Sequence, residues 1–312
     1  MDIAADFKEI SKKDVRIAGG KGASLGEMTR AGFPIPPGFI IISYAFNKFL
    51  AQGGLDSKIE TILKKVKRGN AKGIDEASRE IRDLITKARF PTDLEKQIKE
   101  SFKKLNSKFA AVRSSATAED SKLASWAGEL ETYLNVTDKN LLGSVKKCWS
   151  SLFTPRAIFY RFENNLSKTA ISVAVVIQKM IQSEISGVCF TVHPVTKNRN
   201  QMIIEAGFGL GEAIVGGLIT PDNYVLNKKD PSILNITVNE QSMAIVQSEK
   251  GNIQKKMSLL RGRRQKLSSA QIITLAKICK KIEQHYHEPQ DIEWAFEKGR
   301  FYITQSRPIT TL

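Results

Sequence analysis

Between Asp291 and Pro308 the chain alternates polar and apolar residues in two runs on either side of a glycine, a period of two that no helix satisfies. Ile292, Trp294 and Phe296 alternate with Asp291, Glu293 and Ala295, and a second alternating run follows Gly299. A three-residue loop, Glu297-Lys298-Gly299 with Gly299 at positive φ, predicts a β-hairpin that pairs position 291 with 305 and 293 with 303. In that register Asp291, Glu293, Gln305 and Arg307 share one face and the aromatic residues share the other. A two-residue loop would throw Gln305 to the wrong side, because a one-residue slip flips every side chain. Two carboxylates, an amide and a guanidinium are costly to bury together without a polar partner. A divalent cation with a polyphosphate supplies one: the carboxylates hold the metal and the arginine holds an anionic oxygen. The alternative is a solvated face of an edge hairpin.

At 312 residues the chain has length for one large or two ordinary domains. Its composition, 41% hydrophobic and 26% charged, is that of a globular protein. No apolar run reaches the roughly eighteen residues of a membrane helix, so no membrane partner is expected. The stretch Met1-Asp-Ile-Ala-Ala-Asp6 lacks the basic and apolar regions of a signal peptide. Cys148, Cys189 and Cys279 stand far apart without a CxxC, which suits a reducing cytoplasm and offers no metal site. A net charge of +16 raises the question of a nucleic-acid partner. Two lysine runs, 58–68 and 96–108, have helical spacing with interspersed glutamates, the mark of a solvated helix face. The denser run Lys255 to Lys266 could meet a polyanion or be a mobile basic loop. No zinc-finger, RRM or KH signature is present, and nucleic acid is not the expected partner.

Along the chain, Gly19-Gly-Lys-Gly22 lacks P-loop spacing but places Lys21 among backbone amides at a helix start, either an anion site or a plain loop lysine. Gly32-Phe-Pro-Ile-Pro-Pro-Gly38 leads into a strand at Phe39 to Ile42. Residues 44–108 read as amphipathic helices punctuated at Pro91. The strand Phe109 to Val112 ends in Arg113-Ser-Ser-Ala-Thr-Ala-Glu-Asp120, an arginine and hydroxyls that suit an oxyanion. Residues 124–133, flexible around Gly128, could close over a ligand or be an ordinary loop. Leu141 to Phe162 reads as one helix with Trp149 and Phe153 in its core stripe. Ile171 to Met180, Gly187 to Thr191 and Met202 to Ala206 read as buried strands. His193 is expected to be structural, and the glycine string from Gly207 is weak evidence alone. Ser268 or Ser269 caps a last helix, Gln271 to Tyr286.

Taken together, these motifs resemble, over essentially the whole chain, the N-terminal ATP-binding domain of the phosphoenolpyruvate synthase, pyruvate phosphate dikinase and rifampicin phosphotransferase family. The resemblance rests on Gly19 to Met28, Pro34 to Phe39, Ala111 to Asp120, Ala127-Gly128 with Glu131-Thr132, and Ser151-Leu-Phe153 with Arg156-Ala157. It continues through Gly207 to Glu212, Thr220-Pro-Asp222, and Asp291 to Trp294 with Gln305-Ser-Arg-Pro308. It implies an α+β fold of ATP-grasp type, two lobes clamping the nucleotide, with an N-terminal lobe over 1–180 and a C-terminal lobe over 181–312.

The resemblance also implies roles. Lys21 and Arg113 would contact phosphates, and Gly128 to Thr132 would form a mobile loop over them. Gln178 and Met180 would line the adenine pocket. Glu293 and Gln305 would hold Mg2+, with Asp291 as a secondary metal or outer-shell candidate. Arg307 would stabilise the transferred phosphoryl group, chemistry that needs positioning and charge neutralisation more than a covalent apparatus. The acceptor would be a histidine on a separate swivelling domain or subunit, with a further acceptor-binding domain. His193, His285 and His287 sit in no motif of that kind, so the chain is expected to bind ATP without completing the cycle. The reaction most resembled converts pyruvate, ATP and water to phosphoenolpyruvate, AMP and phosphate. A split enzyme with a phenol or rifampicin acceptor, or a non-catalytic ATP-binding regulator, are the alternatives. Trp126, Glu129-Leu130 and Tyr286-His-Glu-Pro289 depart from the family's usual Phe, Gln-Gln and Tyr-Gly, which bears on acceptor identity and leaves the phosphate and metal positions intact.

Overall fold

A computed structural model describes residues 2–67, 69–117, 131–163, 172–248 and 251–310. The chain divides into two compact units, one formed by the residues up to Glu27 with Pro37–Met180, the other by Met28–Pro36 with Ile181–Leu312.

Described elements of the first unit are β1 (Ala4–Asp6), α1 (Val15–Arg30), β2 (Gly38–Ile41), α2 (Ser43–Gln52), α3 (Asp56–Lys65), α4 (Ala71–Lys87) and α5 (Thr92–Leu105). They continue with β3 (Ala110–Ala116), β4 (Thr132–Val136), α6 (Leu141–Ser150), α7 (Pro155–Glu163) and β5 (Val173–Lys179). The last residues of α1 belong to the second unit. The five strands form an antiparallel sheet in the order β1-β2-β5-β3-β4. Because side chains alternate across a strand, Val112, Val175 and Ile177 point to one face, where they join the helical core. Helix α5 buries Leu94, Ile98 and Phe102 at a spacing of four, with acids in its first turn and lysines in its last. Trp149 is fully buried, its ring centroid 4.8 Å from Phe49 and 5.4 Å from Phe90. The aromatic stripe of this region is therefore packing. The single helix expected from Leu141 to Phe162 is two: a 3-10 turn at Ser151–Phe153 interrupts it, and α7 restarts at Pro155. Proline fits a first helical turn, where its missing N–H is not needed.

The second unit's described elements are β6 (Ile185–Phe190), β7 (Gln201–Phe208), α8 (Glu212–Val215), β8 (Asp222–Asn227), β9 (Ser232–Thr237), β10 (Met243–Ser248) and β11 (Gly251–Lys256). They end with α9 (Leu259–Gly262), α10 (Ser269–Tyr286), β12 (Gln290–Glu297) and β13 (Arg300–Pro308). Six strands form a sheet in the order β13-β12-β6-β7-β8-β9, and β10 and β11 pair separately. Helix α10 begins with a capping box in which Ser268 Oγ accepts from Gln271 N and Gln271 Oε1 accepts from Ser268 N. It buries Ile272, Leu275, Cys279 and Ile282. Cys279 reaches Cys189, which shares a sheet face with Ile204, Tyr224 and Ile292, all buried. The proline-rich stretch adds to the far edge of this sheet, where Ile303 N donates to Pro34 O at 2.9 Å.

Candidate functional site

In the first unit the site begins with a break in α1. Gly19 has φ 68° and ψ 172°, so the helix stops and restarts within Val15–Arg30. A Cβ at Gly19 would fall 2.2 Å from Ser115 Oγ and 2.3 Å from the Ser115 carbonyl oxygen, so the position requires glycine on both conformation and space. Ser115 Oγ donates to Ala18 O at 2.9 Å and accepts from Gly22 N at 3.1 Å, closing a bracket around residues 18–22. That bracket fixes the backbone of Lys21 against β3. The sequence suggested that the Ser114 and Ser115 hydroxyls would meet an anion; Ser115 instead caps the restarted helix.

Arg113 precedes Ser115 by two residues and lies on the same face of the sheet. It pairs with Thr132 on β4 and Val176 on β5, and is 8% exposed. Gln178, two residues along β5, therefore shares that face; it is 2% exposed, and its Nε2 has no hydrogen-bond partner among the described residues. A buried amide donor without an acceptor is costly, and a ligand acceptor such as a purine nitrogen would satisfy it. Met180 follows at the strand end, buried, its N–H donating to Phe109 O at 3.0 Å. Lys21, Arg113, Thr132, Gln178 and Met180 thus all belong to the first unit, with Arg113, Thr132 and Gln178 on one face. Gly128 lies outside the described residues, as does most of the expected closing loop.

In the second unit the hairpin forms with a different register from the one expected. Its turn has two residues, Lys298 at φ 49° and Gly299 at φ 77°, with Glu297 paired to Arg300. Both at positive φ, they match the twist of the strands better than a longer loop would. Asp291 pairs with Arg307 and Glu293 with Gln305, not 291 with 305 and 293 with 303. The register shifts between Glu293 and Trp294, where Thr304 is the extra residue of a β-bulge. The bulge undoes the one-residue slip that the short turn would impose, so Asp291, Glu293, Gln305 and Arg307 still share a face. Trp294, Phe296 and Phe301 are buried on the other.

Arg307 grips Asp291 through Nε and Nη2 at 2.8 and 2.7 Å, both to Oδ2. Burial nevertheless holds the Asp291 carboxyl above the usual carboxylate range; Arg307 opposes the shift and Glu293 adds to it. Sequence reasoning missed a third carboxylate, Glu205 on β7. It pairs with Val188, which pairs with Glu293, so it faces the same side two strands away. Burial first and Asp291 second push its carboxyl up as well. Only the pairing of distant strands brings it there. Among the described residues no group of three His, Cys, Asp or Glu is placed to hold a metal. Magnesium does not require one, since it keeps waters and phosphate oxygens around one or two carboxylates. A half-buried face with this excess of negative charge fits such a cation.

Other candidates are structural. The glycine string is clamped from both sides: Phe208 N donates to Gln241 Oε1, Gly209 N to Glu184 O and Leu210 N to Ile245 O, all within 3.0 Å. Those amides are spent inside the unit and cradle no phosphate. In the basic run, Lys266 is buried and bonded to Asp222 Oδ1 at 2.8 Å, Arg261 lies over the Phe208 ring and Arg263 pairs with Glu240. His193 Nδ1 accepts from Val195 N and Thr196 N, closing a turn, as a structural histidine does.

The chain is 44% identical over 321 residues to a probable phosphoenolpyruvate synthase of Methanocaldococcus jannaschii, covering all of this chain and 27% of that protein. It is 40% identical to the rifampicin phosphotransferase of Bacillus cereus, covering 98% of this chain and 36% of that protein. The chain spans less than half the length of these curated relatives. A solved D-alanine–D-alanine ligase from Helicobacter pylori aligns over 69% of this chain and 46% of its own at 13% identity and a TM-score of 0.30, too distant to carry an argument. Residues 15–312 match the model of the pyruvate phosphate dikinase AMP/ATP-binding domain, and with nearly its whole length so matched the chain belongs to that family.

Proposed function

We propose that this chain is the Mg-ATP-binding part of a dikinase-type phosphotransferase of ATP-grasp type. Lys21 and Arg113 hold phosphate oxygens, Gln178 and Met180 meet the adenine, and Gly128 and Thr132 flank the phosphates. Glu293 and Gln305 hold Mg2+, with Asp291 beside them, and Arg307 meets the phosphoryl group in transfer. When bound, the magnesium neutralises phosphate charge and orients the oxygens. The chain's own part is to supply fixed cations and acceptors around them. A histidine on a separate domain or subunit receives the phosphate, and the reaction is of the phosphoenolpyruvate synthase kind, in the cytoplasm.

The observation that supports this reading most is the bulge in the hairpin. A one-residue insertion costs ladder bonds, yet here it returns Gln305 and Arg307 to the face of Asp291 and Glu293, which an ordinary edge hairpin has no need to do. The test is calorimetric titration with Mg-ATP, followed by incubation with a histidine-bearing domain and detection of phosphohistidine. Glu293→Ala and Arg307→Ala are expected to leave the fold intact and lose transfer. Full transfer in either variant, or no binding of millimolar ATP by the parent, overturns the assignment.

A further inference from the structure

The chain leaves β5 at Lys179 and enters β6 at Ile185, and residues 180–184 between them belong to no regular element. An irregular connector has no ladder to satisfy its main-chain groups, so each must find another partner. Here the partners are protein atoms. Met180 N donates to Phe109 O at 3.0 Å, Glu184 N donates to Phe296 O at 2.9 Å, and Glu184 O accepts from Gly209 N at 3.0 Å. Ser183 Oγ donates to Gly209 O at 3.0 Å. The Gln182 amide is held differently, by a side chain: it donates to Glu297 Oε1 at 2.9 Å.

Glu297 ends β12 just before the turn. Glu184 Oε1 accepts in return from Lys298 N at 3.0 Å, so connector and hairpin turn grip each other through two carboxylates. Alternation along β12 puts Glu297 on the face of Asp291 and Glu293. It stands four residues beyond Glu293, roughly 13 Å along the strand. That is too far to share a cation with Glu293, so the metal proposed for this face does not explain Glu297. The bond to Gln182 N does.

Met180 and Ile181 are both buried, and the amides of Met180 and Gln182 are pinned on either side of them. Pinning both amides fixes the peptides that follow Met180. A site whose backbone is set in advance loses none of the ligand's binding free energy to ordering it. We infer that Glu297 is a positioning residue for the base end of the nucleotide: its carboxylate, through Gln182 N, fixes the backbone that leaves Met180. This rests on the assignment of Met180 to the adenine above. Glu297 acts through that backbone, and its effect depends on an acceptor oxygen at this place rather than on negative charge.

The test uses the intact chain and two ligands that share their phosphates, Mg-ATP and Mg-tripolyphosphate, with Kd measured by calorimetry. Exchange of the Gln182 amide, followed by NMR without nucleotide, is the third reading. Glu297→Ala is expected to weaken Mg-ATP by about fivefold, to leave Mg-tripolyphosphate within about twofold, and to speed Gln182 exchange by about tenfold or more. Glu297→Gln, which keeps an acceptor oxygen, is expected to stay near the parent in all three. Equal losses for both ligands would make Glu297 a residue of general stability and overturn the inference. So would unchanged Mg-ATP affinity in Glu297→Ala, or a Glu297→Gln variant as impaired as Glu297→Ala. If the parent binds no Mg-ATP, the functional assignment fails by itself and the base-end role falls with it. Unchanged Gln182 exchange in Glu297→Ala overturns the inference whatever the nucleotide does.

Discussion

Two stretches of this chain, residues 19–22 and 207–211, look alike as sequence and do different work. Both are glycine-rich and both use one glycine at positive φ to let another backbone come close. Gly19 admits the backbone of Ser115 and Gly209 admits the Ile245 carbonyl, which a Cβ would approach to 2.5 Å. The difference lies in what each carries. The first presents Lys21 from a bracketed helix start, and the second spends its amides on Gln241, Glu184 and Ile245. Glycine density therefore reports close packing of chains, and the phosphate role proposed for the first stretch rests on the charge of Lys21 alone.

The comparison breaks most visibly at the glycines themselves. Gly19→Ala and Gly209→Ala each combine a left-handed backbone with a contact on another main chain, which cannot move aside as a flexible side chain could. Each is expected to cost roughly 3 kcal/mol or more of stability in denaturant unfolding. Gly32→Ala, also at positive φ but with no described residue within 4 Å of where its Cβ would stand, should cost only about 1 kcal/mol. Equal losses at all three would show that conformation alone, and not the close approach, sets the requirement.

A smaller effect separates the clamp of the second stretch from the bracket of the first. Asp222 accepts from Lys266 Nζ, Lys266 N, Asn239 N and the Tyr224 hydroxyl, and both charged side chains are fully buried. This network holds the strand approach of Gln241, whose amide closes on Phe208. Asp222→Ala leaves a buried ammonium without its counter-charge and is expected to cost about 3 kcal/mol, with hydrogen exchange rising at Phe208 and Leu210 and unchanged at Gly22. Lys21→Ala reverses the pattern: hydrogen exchange at Phe208 and Leu210 stays at the parent's level, and Mg-ATP affinity falls by about tenfold or more.

Much of the fold was legible because burial repeats at fixed periods. Amphipathic spacing marked helices over 44–108, Pro91 marked the break before the last of them, and Ser268 or Ser269 was the expected cap of the final helix, a place Ser268 takes. The hairpin was legible in its alternation and its turn glycine. Its register was not, because a bulge leaves the alternation of β12 intact and adds one residue to β13 that no composition signals. Glu205 was hidden for a different reason. Inside the run Met202-Ile-Ile-Glu-Ala206 it reads as one polar interruption, and only the pairing of β7 to β6 and β6 to β12 sets it on the face of Glu293. The bracket made by Ser115 was hidden likewise, since its partners lie more than ninety residues away in sequence.

Glu205 also gives the smallest and most selective test, at the point where β7 runs into the second glycine stretch. Its carboxyl is raised in the fold, by burial first and by Asp291 second. A carboxyl whose folded pKa lies above its unfolded value binds its proton more tightly in the native state. Between those two values the native chain then carries more protons than the unfolded one, and stability falls as pH rises. Above that window the ionised side chain is a fixed penalty. Glu205→Gln is therefore expected to melt slightly higher than the parent at neutral pH, with the difference shrinking as pH falls through the folded pKa toward the ordinary carboxylate range near 4.5. Millimolar Mg2+ without nucleotide should reduce the difference at neutral pH, because a cation on this face offsets the same penalty. A variant that melts lower than the parent at neutral pH and stays lower in acid would mean that Glu205 is held by a favourable partner, and that the charge surplus assigned to this face of the sheet is absent.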